Sequence, residues 1–107
     1  MTVRQLAEMF EYKVLCMPDE SREVVGGYAG DLLSWVMGRL EADNAWVTIM
    51  SNVNVIAVAS LADPSCIILS EGVELEEDVL TRAKQQGINV LSTQKNTYSV
   101  CVDLASI

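Results

Sequence analysis

This chain of 107 residues contains no histidine. That absence removes Ser-His-Asp and Cys-His nucleophilic machinery, and with it the commonest transition-metal ligand. Cysteine is scarce: Cys16, Cys66 and Cys101 form no CxxC pair and match no zinc spacing. Scattered cysteines of odd number in an unexported chain read as buried free thiols. Basic residues are few, seven against fifteen acidic ones, giving a net charge of −8. A basic footprint for nucleic acid is therefore missing, and the deficit counts equally against anionic membrane surfaces. Solubility accounts for the acidity, with a basic protein partner as the other reading. No apolar run reaches the roughly 18 residues of a membrane span. The opening MTVRQLAEMF lacks the basic-then-apolar layout of a signal peptide. A cytoplasmic protein is the expectation.

What is present is apolar material: half the residues are hydrophobic. That suffices for one core, and residues 1–107 read as a single domain with no repeat or linker. Thr2 and Gln5 fit a capping box, and Val3, Leu6, Ala7 and Phe10 fall at helical spacing. YKVLC then reads as a strand, followed by a turn at Pro18-Asp19-Glu20. REVVGGYAG is a second strand, its glycines marking a bulge or a close approach. Asp31 is expected to cap a helix over DLLSWVMGRL, with Leu32, Trp35, Val36 and Arg39 in its stripe. AWVTIM is a strand of β-branched and aromatic residues.

SNVNVIAVASLAD has strand propensity but helix length. Ser51 or Asn52 is placed to cap it and Asp63-Pro64 to stop it, so helix is the reading adopted. CIILS is a buried strand. EGVELEEDVLTRAKQQG is a helix with Glu76, Glu77 and Asp78 in its first turn, where the dipole favours them, and Gly87 as its C′ residue. INVLS is the last strand, and a helix from about Asn96 closes the chain. The alternation implies α/β architecture: a largely parallel sheet with helices packed on both faces. The strands are continuous apolar runs, as expected when both faces are covered.

Ligands in open α/β sheets bind outside the carboxyl ends of the strands. Those ends are Met50-Ser51-Asn52, Ser70-Glu71-Gly72 and Ser92-Thr93-Gln94, all polar and all equally readable as helix caps. GGYAG meets neither GxGxxG nor GxxxxGK[ST], so it is not a phosphate loop. Arg22 beside it retains the option of pairing with an anionic group, against the plainer reading of a solvated arginine. The carboxylates from Glu71 to Asp78 lack the spacing of a calcium loop. Trp35 and Trp46 read as core. Tyr28 and Tyr98 flank polar loops with rings free to stack on a base.

Taken together, SREVVGGYAGDLLSWV, AWVTIMSNVNVIAVASLADPSCIILSEGV and INVLSTQKNTY resemble the DRTGG domain. That family is an accessory module beside CBS domains, CbiA-like domains and some phosphate acetyltransferases, with weaker kinship to the N-terminal region of HPr kinase/phosphorylase. Its Asp-Arg pair corresponds to Ser21-Arg22, and its Thr-Gly-Gly to Ser70-Glu71-Gly72. Serine in place of the aspartate removes a partner for Arg22. Glutamate in place of a glycine adds a charge that would repel an anionic ligand there. The resemblance implies a regulatory or dimer-forming module rather than an enzyme.

Three readings follow. The first is a non-catalytic regulatory or scaffolding homodimer. The second is a sensor of a small ligand, a nucleotide among the options, at the strand ends. The third is an accessory subunit of a larger metabolic or redox assembly, meeting a protein partner encoded nearby. Ligand-binding candidates are Arg22, Gly26, Gly27, Tyr28, Ser51, Asn52, Asn54, Ser70, Glu71, Gly72, Thr93 and Tyr98. No catalytic residue, metal ligand or cofactor is assigned.

Overall fold

A computed structural model describes all residues from Met1 to Ile107. The helices are α1 (Val3–Met9), α2 (Leu33–Arg39), α3 (Val53–Ala62), α4 (Glu77–Gln85) and α5 (Thr97–Ala105). The strands are β1 (Lys13–Cys16), β2 (Gly26–Ala29), β3 (Asn44–Thr48), β4 (Cys66–Leu69) and β5 (Val90–Ser92). They form one sheet in the order β1-β5-β4-β3-β2. β2 through β5 run parallel, and β1 pairs antiparallel with β5 at one edge. The fold is α/β, as the alternation implies. No helix is long and apolar enough to cross a membrane.

From β2 onward the chain walks across the sheet in one direction, one strand per step. Crossovers of one hand on a one-way walk must put every connecting helix on the same face. α2, α3 and α4 accordingly share one core cluster, with Val36, Trp46, Val55, Ile56, Ile67, Leu69, Val79 and Ala83 in it. The opposite face is left bare by this walk and is covered from the chain's two ends. Val3, Leu6 and Ala7 of α1 and Val100 of α5 pack there on Ala45, Val47, Cys66, Ile68 and Leu91. Successive residues of β3 and β4 thus alternate between two cores. This is why AWVT and CIIL are apolar at every position but one, Thr48.

Several ends form as the sequence dictates. The Thr2–Gln5 capping box is made in both directions. Asn52 caps α3 through the amide of Asn54, and Asn96 caps α5 through that of Ser99. Gly87 lies just past α4 at φ +71°, where glycine meets no Cβ penalty.

Other expectations are corrected. Leu32, not Asp31, stands at the N-cap of α2, and no side chain caps that helix. The Asp31 carboxylate reaches across the sheet end instead, accepting from the Thr48 hydroxyl at 2.8 Å and the Ile49 amide at 2.9 Å. Nor is Trp35 core. Leu33, Val36 and Leu40 are the inward stripe of α2, one position out of phase, and Trp35 is 54% exposed. Its ring lies under the Arg39 guanidinium at 3.8 Å. α4 starts at Glu77, so residues 71–76 form a loop, with Glu76 as N-cap and Glu77 and Asp78 in the first turn. Of REVVGGYAG, only Gly26–Ala29 is strand.

Candidate functional site

The carboxyl margin of the sheet gathers eight of the twelve candidates: Ser51, Asn52, Asn54, Ser70, Glu71, Gly72, Thr93 and Tyr98. It does not make them one site. The turn after β4 is the best defined part. Glu71 and Gly72 both hold left-handed backbone, at φ 62° and 73°. There the Glu71 amide donates to the Lys95 carbonyl at 2.8 Å and the Gly72 amide to that of Thr93 at 3.0 Å. A Cβ on Gly72 would lie 2.6 Å from the Gln94 side-chain oxygen, the mobile end of an exposed side chain, so it is the positive φ that favours glycine there.

The Glu71 side chain is bonded to α5. Its Oε2 accepts the Thr97 amide at 2.8 Å, at the start of α5. Ser70 is fully buried, its hydroxyl sharing a 2.7 Å hydrogen bond with that of Thr97. Both side chains are spent on anchoring α5. We expect Glu71→Gly to be nearly neutral, because relief of about 1 kcal/mol of left-handed strain offsets loss of the cap. Glu71→Ala keeps the strain, loses the cap, and should cost about 1–2 kcal/mol in urea unfolding.

Beside this turn lies a polar cleft of about 290 Å³. Gly72, Val73, Glu74 and Leu75 form one wall; Ser92, Thr93 and Gln94 form the other; Lys13 and Leu15 of β1 and Leu80 of α4 complete it. Ser51 and Asn52 line a separate acidic cleft with Glu74, Glu76 and Asp78. Asn54 borders a groove between α3 and α4. Tyr98 is 73% exposed and lines no cleft. Lys13 and Glu74 were missed by sequence reasoning. Lys13 reaches this margin only because β1 runs antiparallel, opposite Ser92, which no local pattern encodes.

Arg22 sits at the other end of the sheet. Its Nε donates to Asp43 Oδ1 at 2.9 Å, Nη1 to Asp63 Oδ1 at 2.8 Å, and Nη2 to the Asp63 carbonyl at 2.7 Å. Arg22 is thus paired with Asp43, just before β3, and with Asp63, at the end of α3. Gly26 pairs with Asn44 at this same end. Gly27 and Tyr28 line an apolar cleft of about 230 Å³ between β2 and α5, with Val47, Cys101 and Leu104. A Cβ on Gly27 would stand 2.9 Å from Leu104 Cδ1, so a larger residue there would make the Leu104 side chain of α5 shift.

Tyr12 donates to Asp103 Oδ2 at 2.6 Å and Lys95 Nζ to the same oxygen at 2.8 Å. Burial, then the bond to Asp103, pushes the Tyr12 phenol far above its usual range. Burial would raise the Asp103 carboxyl, but the bonds from Lys95 and Tyr12 hold it below its ordinary value. The trio fastens the segment between α1 and β1, and the one between β5 and α5, to Asp103 of α5. Burial lifts the Cys66 thiol to about 12, which leaves it an inert core residue. No group of histidine, cysteine and carboxylate side chains is placed to hold a metal.

Fold and margins thus define an α/β module of four parallel strands and one antiparallel edge. The DRTGG domain profile matches residues 5–107. The chain belongs to the DRTGG domain family. Among solved structures it resembles the CBS and DRTGG domains of the regulatory region of Clostridium perfringens pyrophosphatase, complexed with the activator diadenosine tetraphosphate. The TM-score is 0.72 at 13% identity, over 96% of this chain and 47% of that one. The chain therefore spans about half of that structure. No curated relative matches.

Proposed function

We propose that this chain is a non-catalytic regulatory module that acts as a homodimer, pairing through the β2 edge. The observation that carries this reading is the edge itself. β2 has a strand neighbour on one side only, and three of its four residues are exposed. An open edge is a template for another strand unless it is blunted by charge or covered. This one carries no charge: its residues are Gly26, Gly27, Tyr28 and Ala29. Apolar clefts flank it, one formed with α5 and one between Met1, Val24, Val25, Leu104 and Ile107. Val25, Val102 and Ile107 add exposed apolar surface.

Light scattering at micromolar concentration should give twice the chain mass. Val25→Lys, at a residue 73% exposed, should give the monomer mass with unchanged circular dichroism. A monomeric parent chain would sink this reading.

A second reading, ligand sensing, is favoured by the polar cleft beside the 70–72 turn. The activator of the clostridial regulatory region makes a nucleotide one ligand class to test, by thermal shift against a nucleotide panel. A protein partner encoded nearby is compatible with either reading.

A further inference from the structure

The cleft beside the 70–72 turn has chemistry specific enough to name a ligand class. Its opposed charges are one of each sign. Lys13 and Glu74 both line it, and neither enters any ion pair of the protein. Leu15, Leu75 and Leu80 supply apolar surface continuous with the core of the α2–α4 face. Ser92 and Thr93 add hydroxyls; the Thr93 oxygen already accepts the Lys95 amide at 3.1 Å, which leaves its proton to donate. A pocket with an apolar floor and a few convergent polar groups is the usual form of a small-molecule site.

Charge and size narrow the occupant. A polyphosphate would meet a single ammonium, with Glu74 beside it, on a protein of net charge −8. Each added negative charge is repelled there rather than paired. A volume of about 290 Å³ also suits a small molecule and not a dinucleotide. We propose that this cleft binds a small zwitterion with an apolar body, of the kind an apolar α-amino acid represents. The carboxylate meets Lys13 and the hydroxyls of Ser92 and Thr93, the ammonium meets Glu74, and the side chain rests on Leu15, Leu75 and Leu80. This rests on the ligand-sensing reading and is independent of the dimer.

The test is thermal unfolding of the full chain with leucine, valine, methionine or phenylalanine, each at about 10 mM, and with ATP in parallel. For a Kd near 1 mM, binding to the native state alone should raise Tm by about 5 °C or more. The N-acetyl and amide derivatives of the best amino acid, each lacking one charge, should lose the shift. Lys13→Met and Glu74→Gln should each weaken binding about tenfold. Both residues are exposed, so neither change threatens the fold. A shift that survives either variant, or that the neutralised derivatives reproduce, overturns the assignment. A shift with ATP and none with the amino acids overturns it while leaving ligand sensing in place. Silence from every probe removes both.

Discussion

Arg22→Ala is expected to lower the unfolding free energy by about 2–4 kcal/mol, read as a drop in Tm of about 10 °C or more. The reason lies in what the guanidinium holds. Its donors reach two carboxylates and one main-chain carbonyl. Asp43 and Asp63 both sit in left-handed backbone, at φ 66° and 62°. The Asp43 amide itself donates to the Asp63 carbonyl at 3.0 Å. Removing the arginine leaves two strained turns whose like charges face each other without a counter-ion. Arg22→Lys should recover less than half the loss, because a point ammonium cannot span three acceptors in a fork. A fall in Tm of under 2 °C for the alanine variant would show that these bonds contribute little, as exposed pairs often do.

Trp46→Ala should cost still more, about 3–5 kcal/mol, out of a total that for such a domain is on the order of 5–15 kcal/mol. The indole is fully buried beneath α2 and α3 and is among the largest wholly enclosed side chains. Its Nε1 donates to the Gly30 carbonyl at 3.0 Å, which fixes the end of β2 against β3. Trp46→Phe separates the two contributions. It keeps most of the volume, leaves that carbonyl without its donor, and should cost about 1–2 kcal/mol. Equal losses in the two variants, by urea denaturation, would refute this division.

Trp46 and Trp35 illustrate what the sequence can and cannot say. Both stand in apolar segments. The β3 tryptophan is core because every residue of a central strand faces one of two covered sides. For α2 the outcome turns on helical phase, and a shift of one residue turns Trp35 outward under Arg39. The α3 segment went the other way. Its β-branched run favours a strand, yet Asn52 and Asp63 define its ends and helix length prevailed over propensity. Asp31 misled because a good capping residue has other uses, and Thr48 is invisible to a local reading. The candidate site was legible only as a margin. Polar strand ends mark where ligands bind in such sheets, but not which side chains are already occupied. Ser70 and Glu71 look available until α5 folds back onto them. Lys13 looks remote until the antiparallel edge brings it alongside Ser92.

The Glu71 carboxylate couples two places that are otherwise far apart in the chain. It belongs to the turn bordering the polar cleft and is bonded to the first residue of α5. The last turn of α5 supplies Leu104 to the clefts along β2. If both the cleft and the edge are used, α5 is the element that touches both. Linkage is reciprocal: whatever factor an occupant of the cleft applies to self-association, self-association must apply to the occupant's affinity. A factor other than one would make the apparent affinity of the module for its ligand depend on its own concentration, and the bonds of Ser70 and Glu71 to Thr97 are where paired replacements would test for it.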